Sequence, residues 1–269
     1  MTSLSLLALS LALLVPVNGI AHSIRHEIAE GTTADKLNLV GPLVELSKHA
    51  YEVKGSKAPA PTGFRTVKPA FTTSITGFQA RTYLSADGKS VVVAFAGTDF
   101  SASQLLLGWV TRWKLGDVAT DIQLLSGKVP KQFNQALSYF DKAIRQHPGI
   151  EVIATGHSLG GALATYVGMM RKQNSIVFNS PGINKALDDL IPGQHKQSFV
   201  DGPYYLTFQS SGDKKGRFGL TQDAVTQSVS KLSGVGIELI TLKTGCGADK
   251  LCHSVLNFEA ALPADKASK

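Results

Sequence analysis

An α/β fold, with a mostly parallel central sheet flanked by helices, is predicted by three features of the 269-residue sequence. Short β-type runs alternate with helical patterns along most of the chain, and that alternation builds a parallel sheet covered on both faces. One run, Ser90–Phe95 (SVVVAF), is apolar throughout, as a strand buried on both faces must be. The composition, 43% hydrophobic and 17% charged with 26 glycines, belongs to a packed globular chain, not a disordered or fibrous one. The length suits one α/β domain with a sizeable core, and no internal repeat, low-complexity tract or heptad run divides it.

The elements follow in order. Residues 1–21 read as a secretory signal peptide: no charged side chain up to residue 20, an almost continuous apolar run over 4–15, a break at Pro16, then small Gly19 and Ala21. Cleavage fits after either small residue. The run is shorter than the roughly 20 residues that cross a bilayer. Residues 22–269 are expected to form the single mature domain. Residues 37–53 carry Leu37, Val40, Leu43, Val44, Leu46, Ala50 and Tyr51 near helical spacing, with Pro42 expected close to the start. Three prolines and a glycine make 58–69 read as loop. Residues 77–84 alternate as a strand, and 86–89 (ADGK) supply the turn into Ser90–Phe95.

The plainest helix spans 131–147, where Phe133, Ala136, Leu137, Phe140, Ala143 and Ile144 share one stripe and Pro148-Gly149 ends it. A short β-type run at 150–155 follows, then an Ala/Gly-rich helix over Leu159–Arg171 suited to close packing. Ser175–Phe178, 203–209 and 235–242 complete the strand candidates.

The formal net charge of +7 lies entirely on the mature part and favours anionic partners such as phospholipid headgroups. The basic residues are scattered, without an Arg-rich arm or stacking aromatics, which argues against nucleic acid. The only cysteines, Cys246 and Cys252, are expected to form one disulfide in an exported chain. Its short loop would act locally, on whatever sits beside it. Two cysteines without clustered histidines do not make a zinc site, and no metal or organic cofactor is expected.

The chemistry concentrates at Gly156-His157-Ser158-Leu159-Gly160, a G-x-S-x-G run extended by Gly161. A strand precedes it directly and a helix follows directly, which is the setting of a nucleophile elbow. Flanking side chains would collide with the neighbouring strand and helix, so glycines are needed there. The helix N-terminus turns its N–H groups towards a developing oxyanion. Ser158 is therefore the expected nucleophile. A serine hydroxyl needs a base, and only His195 and His253 follow it. His253 fits better, after the last strand candidate and beside Cys252. The acid belongs just beyond a strand between the two. Asp213 stands there, with Asp223 as its rival; Asp201 precedes that strand, at the wrong end. For the oxyanion hole, the donors expected are the Leu159 N–H and Thr98, which follows the buried strand Ser90–Phe95.

Assembled, these residues resemble the fungal-type (class 3) lipase family of the α/β-hydrolase superfamily. The segments that carry the likeness are Val93-Ala94-Phe95-Ala96-Gly97-Thr98, Gly156-His157-Ser158-Leu159-Gly160-Gly161-Ala162-Leu163-Ala164 and Val177-Phe178-Asn179-Ser180-Pro181-Gly182. Asp121 resembles the acidic residue that follows the family's lid. Ala96 departs from the arginine the family usually has there. The resemblance implies a Ser158-Asp213-His253 triad, Thr98 in the oxyanion hole and a lid between the oxyanion loop and the next helix. In that interval Leu105, Trp109 and Trp113 share one face at i, i+4 and i+8. That stripe suits a lipid interface and equally suits the core.

The expectation is a secreted, monomeric serine carboxylic-ester hydrolase acting on lipid esters, as a triacylglycerol lipase or a phospholipase A1-like enzyme. Acyltransferase or thioesterase chemistry on the same triad is the first alternative, since all pass through an acyl-enzyme. A non-catalytic secreted membrane-binding protein is the second, but a pure binder has no need of Ser, Asp and His in this order.

Overall fold

The computed structural model describes residues 33–51, 58–74, 78–97, 131–180, 205–211 and 237–243, with Val255 and Phe258. These residues form α1 (Thr33–His49), β1 (Phe64–Thr73), β2 (Gln79–Ser85), β3 (Ser90–Phe95), α2 (Lys131–Gln146), β4 (Glu151–His157), α3 (Leu159–Arg171), β5 (Ser175–Phe178), β6 (Tyr205–Ser211) and β7 (Ile237–Lys243). The strands make one seven-stranded sheet in sequential order from β1 to β7. β1, β2 and β3 are antiparallel neighbours; β3 to β7 run parallel. The mostly parallel sheet flanked by helices is the expected α/β architecture.

β3 shows why an unbroken apolar run is needed. All six of its residues are buried. Val91, Val93 and Phe95 pack into one core with α2 and α3, while Val92 and Ala94 pack into a second with α1. Side chains alternate across a strand, so both faces must be apolar when both are covered. α2 presents the predicted stripe: Phe133, Ala136, Phe140 and Ala143 are fully buried. α3 is buried without a break from Gly160 to Met169.

Two expectations need correction. The helix expected over 37–53 runs from Thr33 to His49, and Pro42 lies inside it. An interior proline removes one backbone bond to the preceding turn. The burial of Leu39, Val40, Leu43, Val44 and Leu46 on the sheet carries the helix through that gap. The prolines at 59–69 do not keep that stretch a loop either: β1 begins at Phe64 and includes Pro69. β1 is an edge strand whose register slips between Val67 and Thr72, around a cis Lys68–Pro69 bond. Edges and irregularities are where a strand tolerates proline. The carbonyls freed there are satisfied from α2 and the residue that follows it: Tyr139 donates to Pro69 O at 2.6 Å, and His147 Nε2 donates to Lys68 O at 2.6 Å. Burial pushes the Tyr139 phenol well above its usual range, so it stays a neutral donor.

Candidate active site

β4 ends at His157 and α3 begins at Leu159, so Ser158 makes the whole connection. Its backbone takes φ 56° and ψ −131°, a region that costs a residue with a Cβ about 1–3 kcal/mol. The surroundings hold it there. Its N–H donates to Phe178 O at 3.1 Å, and its carbonyl accepts from Ala162 N–H at 3.2 Å. The Ser158 hydroxyl makes no capping bond to the helix it heads.

The glycines around Ser158 are set by close contact, with backbone at Gly156 and Gly160 and with a side chain at Gly161. A Cβ on Gly156 would lie 2.5 Å from Gly160 C and 2.8 Å from Phe95 O. On Gly160 it would strike the Phe95 carbonyl and lie 2.7 Å from Ala96 C; on Gly161 it would lie 2.8 Å from Ser180 Cβ. α3 therefore sits against the end of β3 with nothing but backbone between them. Leu159 opens that helix, and first-turn N–H groups have no earlier carbonyl within the helix to meet. Its N–H is thus one that no carbonyl of the helix meets.

Gly97 approaches the elbow from β3. A Cβ there would lie 2.7 Å from His157 O and 3.2 Å from Ser158 Cβ. The end of β3 and the elbow are consequently in contact, one residue before Thr98. On the opposite side, Asn179 adopts φ 43° and is fully buried. Its Oδ1 accepts from Ser210 N–H at 2.8 Å, and its Nδ2 donates to Ser210 Oγ at 2.9 Å.

Of the expected site residues, Ser158 and Leu159 are described, together with Gly97 next to Thr98. Thr98, Asp213, Asp223 and His253 lie outside the described residues, as do Leu105, Trp109, Trp113, Asp121, Cys246, Cys252, His195 and the leader at 1–21. What the fold does fix is which edge their strands end on. β3, β4, β6 and β7 are parallel, so their carboxyl ends share one edge of the sheet. Thr98 follows β3, Ser158 follows β4, Asp213 follows β6 by two residues, and His253 follows β7. Ligands of open parallel sheets bind along that edge. Among the described residues, no group of His, Cys, Asp or Glu is placed to hold a metal ion.

Sequence reasoning missed Tyr51 and Asn179 as parts of this site. Tyr51 counted only as the last apolar residue of a helix stripe, yet its hydroxyl lies 3.0 Å from His157 Nδ1. Asn179 stood in Phe178-Asn179-Ser180-Pro181 without a role. The signal was its residue type, because Asn tolerates positive φ where a strand gives way to a turn.

A family model described as Phospholipase-like: Tle-like phospholipase domain matches residues 44–198, more than half of the chain. The match includes Thr98, Ser158 and Leu159 and stops before Asp213 and His253. Solved structures to which the chain is similar include Lip2 lipase from Yarrowia lipolytica, at 15% identity and TM-score 0.43 over 83% of this chain and 90% of that one. A triacylglycerol lipase from Penicillium expansum is similar at 16% identity and TM-score 0.44, covering 79% of this chain and 81% of the other. Lipase II from Rhizopus niveus is similar at 16% identity and TM-score 0.44, covering 70% and 75%. No curated protein sequence matches the chain.

Proposed function

The chain belongs to the Tle-like phospholipase domain family and is a serine ester hydrolase of lipase type; on that premise we propose that it cleaves lipid carboxylic esters with Ser158 as nucleophile. The observation that carries this reading is the Ser158 backbone, held at φ 56° and ψ −131° between a buried strand and the first residue of a helix. Strain of that kind persists only where the surroundings over-determine it, and it gathers at reacting residues.

The chemistry follows from the residue types. His253 removes the Ser158 proton as Oγ attacks the ester carbonyl, and Asp213 accepts from the other imidazole nitrogen and stabilises the imidazolium. The Leu159 N–H and Thr98 hold the tetrahedral oxyanion. Collapse expels the alcohol, which takes the proton from His253 and leaves an acyl-enzyme. Water then attacks the acyl carbon, His253 takes its proton, and the fatty acid leaves with Ser158 restored. Strand order supports these assignments, since Thr98, Ser158, Asp213 and His253 each follow a strand that ends on the same edge of the sheet.

The net charge of +7 and the phospholipase character of the family favour a phospholipid ester over triacylglycerol. The chain is exported by a leader cleaved after Gly19 or Ala21. Cys246 and Cys252 are joined in a disulfide that fixes the loop bearing His253. Leu105, Trp109 and Trp113 form the apolar face of a lid that settles on the lipid surface.

Labelling with a fluorophosphonate tests the assignment. The wild type is expected to label and to hydrolyse phospholipid vesicles, and Ser158→Ala to do neither. Undiminished labelling of the variant would refute Ser158 as the nucleophile.

A further inference from the structure

Helix α1 is fastened to β4 at two points, and the second lies beside the nucleophile. Ser47 Oγ is 3.3 Å from Thr155 Oγ1, which in turn donates to Ile176 O at 2.7 Å. In the turn that continues the helix, Tyr51 reaches His157 with two bonds. Its hydroxyl donates to His157 O at 3.2 Å, and His157 Nδ1 lies 3.0 Å from the same oxygen. A carbonyl only accepts, so the phenolic proton goes to it and Nδ1–H donates to the hydroxyl.

The spacing explains why both points can be met at once. Ser47 and Tyr51 are four residues apart, about 6 Å along a helix. Thr155 and His157 are two residues apart on one face of a strand, about 6.6 Å. The two periods nearly agree, so helix and strand lock side by side. The Tyr51 hydroxyl also crowds the end of β3. A Cβ on Gly97 would lie 2.5 Å from it and 3.2 Å from Ser158 Cβ. One hydroxyl therefore touches the residue before the nucleophile and bears on the residue before Thr98. Tyr51 is half-buried, its ring packed against the core that α1 shares with the sheet.

We propose that the Tyr51 hydroxyl is a positioning group for catalysis, setting the distance between the nucleophile elbow and the oxyanion strand through its two bonds to His157. It rests on the reading of Ser158 as nucleophile. The phenol does not touch the substrate. It holds His157, and so Ser158, at a fixed offset from Gly97, where a small displacement of reacting groups is costly.

Tyr51→Phe tests this, because it keeps the ring and removes only the oxygen. The expected result is a kcat lowered roughly ten- to a hundredfold on a short-chain nitrophenyl ester, KM nearly unchanged, and slower fluorophosphonate labelling. The melting temperature should fall only by the few degrees that the loss of these two bonds brings. His157→Asn, whose amide N–H stands where Nδ1–H stood, should keep more of the rate than His157→Leu. In the double variant Tyr51→Phe/His157→Leu, the second change should add little to the first. A rise in KM alone would make Tyr51 a substrate contact, and a loss of melting temperature matching the loss of rate would make it a plain structural residue. Either result overturns the proposal. The two readings separate cleanly. If Ser158→Ala still labels, the nucleophile is wrong. If Ser158→Ala is silent and Tyr51→Phe labels at the wild-type rate, only the positioning role falls.

Discussion

Asn179 stands where β5 has ended and β6 has not. Its own N–H closes the last regular bond between the two strands, to Phe208 O at 2.8 Å. Further along β6, Ser210 N–H faces a side from which β5 has departed. The Asn179 side chain takes the place of the missing strand, with Oδ1 accepting from that N–H at 2.8 Å and Nδ2 donating to Ser210 Oγ at 2.9 Å. Asn179 is 0% exposed and Ser210 1%, so no solvent can take over these bonds. Asn179→Ala strands a buried donor, which costs about 1–3 kcal/mol. It also places a Cβ without a compensating side chain at φ 43°, a further penalty of about 1 kcal/mol. Asn179→Gly loses the same bonds but not the second amount. Urea unfolding followed by far-UV circular dichroism should show Asn179→Ala less stable by about 2–4 kcal/mol and Asn179→Gly by about 1–3 kcal/mol, at an unchanged m value. A loss below about 0.5 kcal/mol for alanine would refute the strand-replacement reasoning, and equal losses for the two variants would refute the backbone penalty.

Gly160→Ala should lower stability by roughly 1–3 kcal/mol, because the added Cβ meets the backbone of Phe95 and Ala96, which cannot rotate away. The melting point checks it, at about 2–4 °C per kcal/mol for a chain of this size; a wild-type value would mean that α3 can slide. Gln209 is 1% exposed with neither amide atom hydrogen-bonded among the described residues. Gln209→Met should therefore be neutral or stabilising by up to about 2 kcal/mol, and a clear loss in urea unfolding would reveal a partner for the amide. Asp87 is exposed and its carboxyl is held below the usual 3.8: partial desolvation pushes it up, but bonds from Ser85 Oγ and Lys89 N–H and the Lys89 charge outweigh that. A lowered carboxylate stabilises above its ordinary pKa and loses that contribution as pH falls through the folded value. Asp87→Asn should consequently lose less melting temperature than the wild type between about pH 5 and pH 3, by a small margin because the group is exposed; parallel curves would refute it.

How much was legible in the sequence depended on what each element must satisfy by itself. β3, α2, α3 and β5 carry their requirement locally, as an unbroken apolar run, a helical stripe or glycines where backbones meet. Their limits follow from the sequence to within a residue. β1 does not: Pro69 within it, like Pro59 and Pro61 before it, is a turn signal to a local reading, and only the place of β1 at the sheet edge makes Pro69 compatible with a strand. Pro42 misled in the same way, because the packing that carries α1 through it belongs to residues on the sheet. At the site, Ser158 and its glycines were legible because the elbow writes its geometry into consecutive residues. Tyr51 was not, since its partner His157 is 106 positions away and a helix-end tyrosine looks the same whether or not it meets one.

The uninterrupted burial of α3 from Gly160 to Met169 bears on how the protein breathes. Amide protons in so deeply buried a helix are expected to exchange mainly through opening of the whole fold. Together with β4, α3 should retain deuterium protection longest. The serine is then mounted on the slowest-opening part of the molecule, and whatever rearrangement admits a bulky substrate takes place around it.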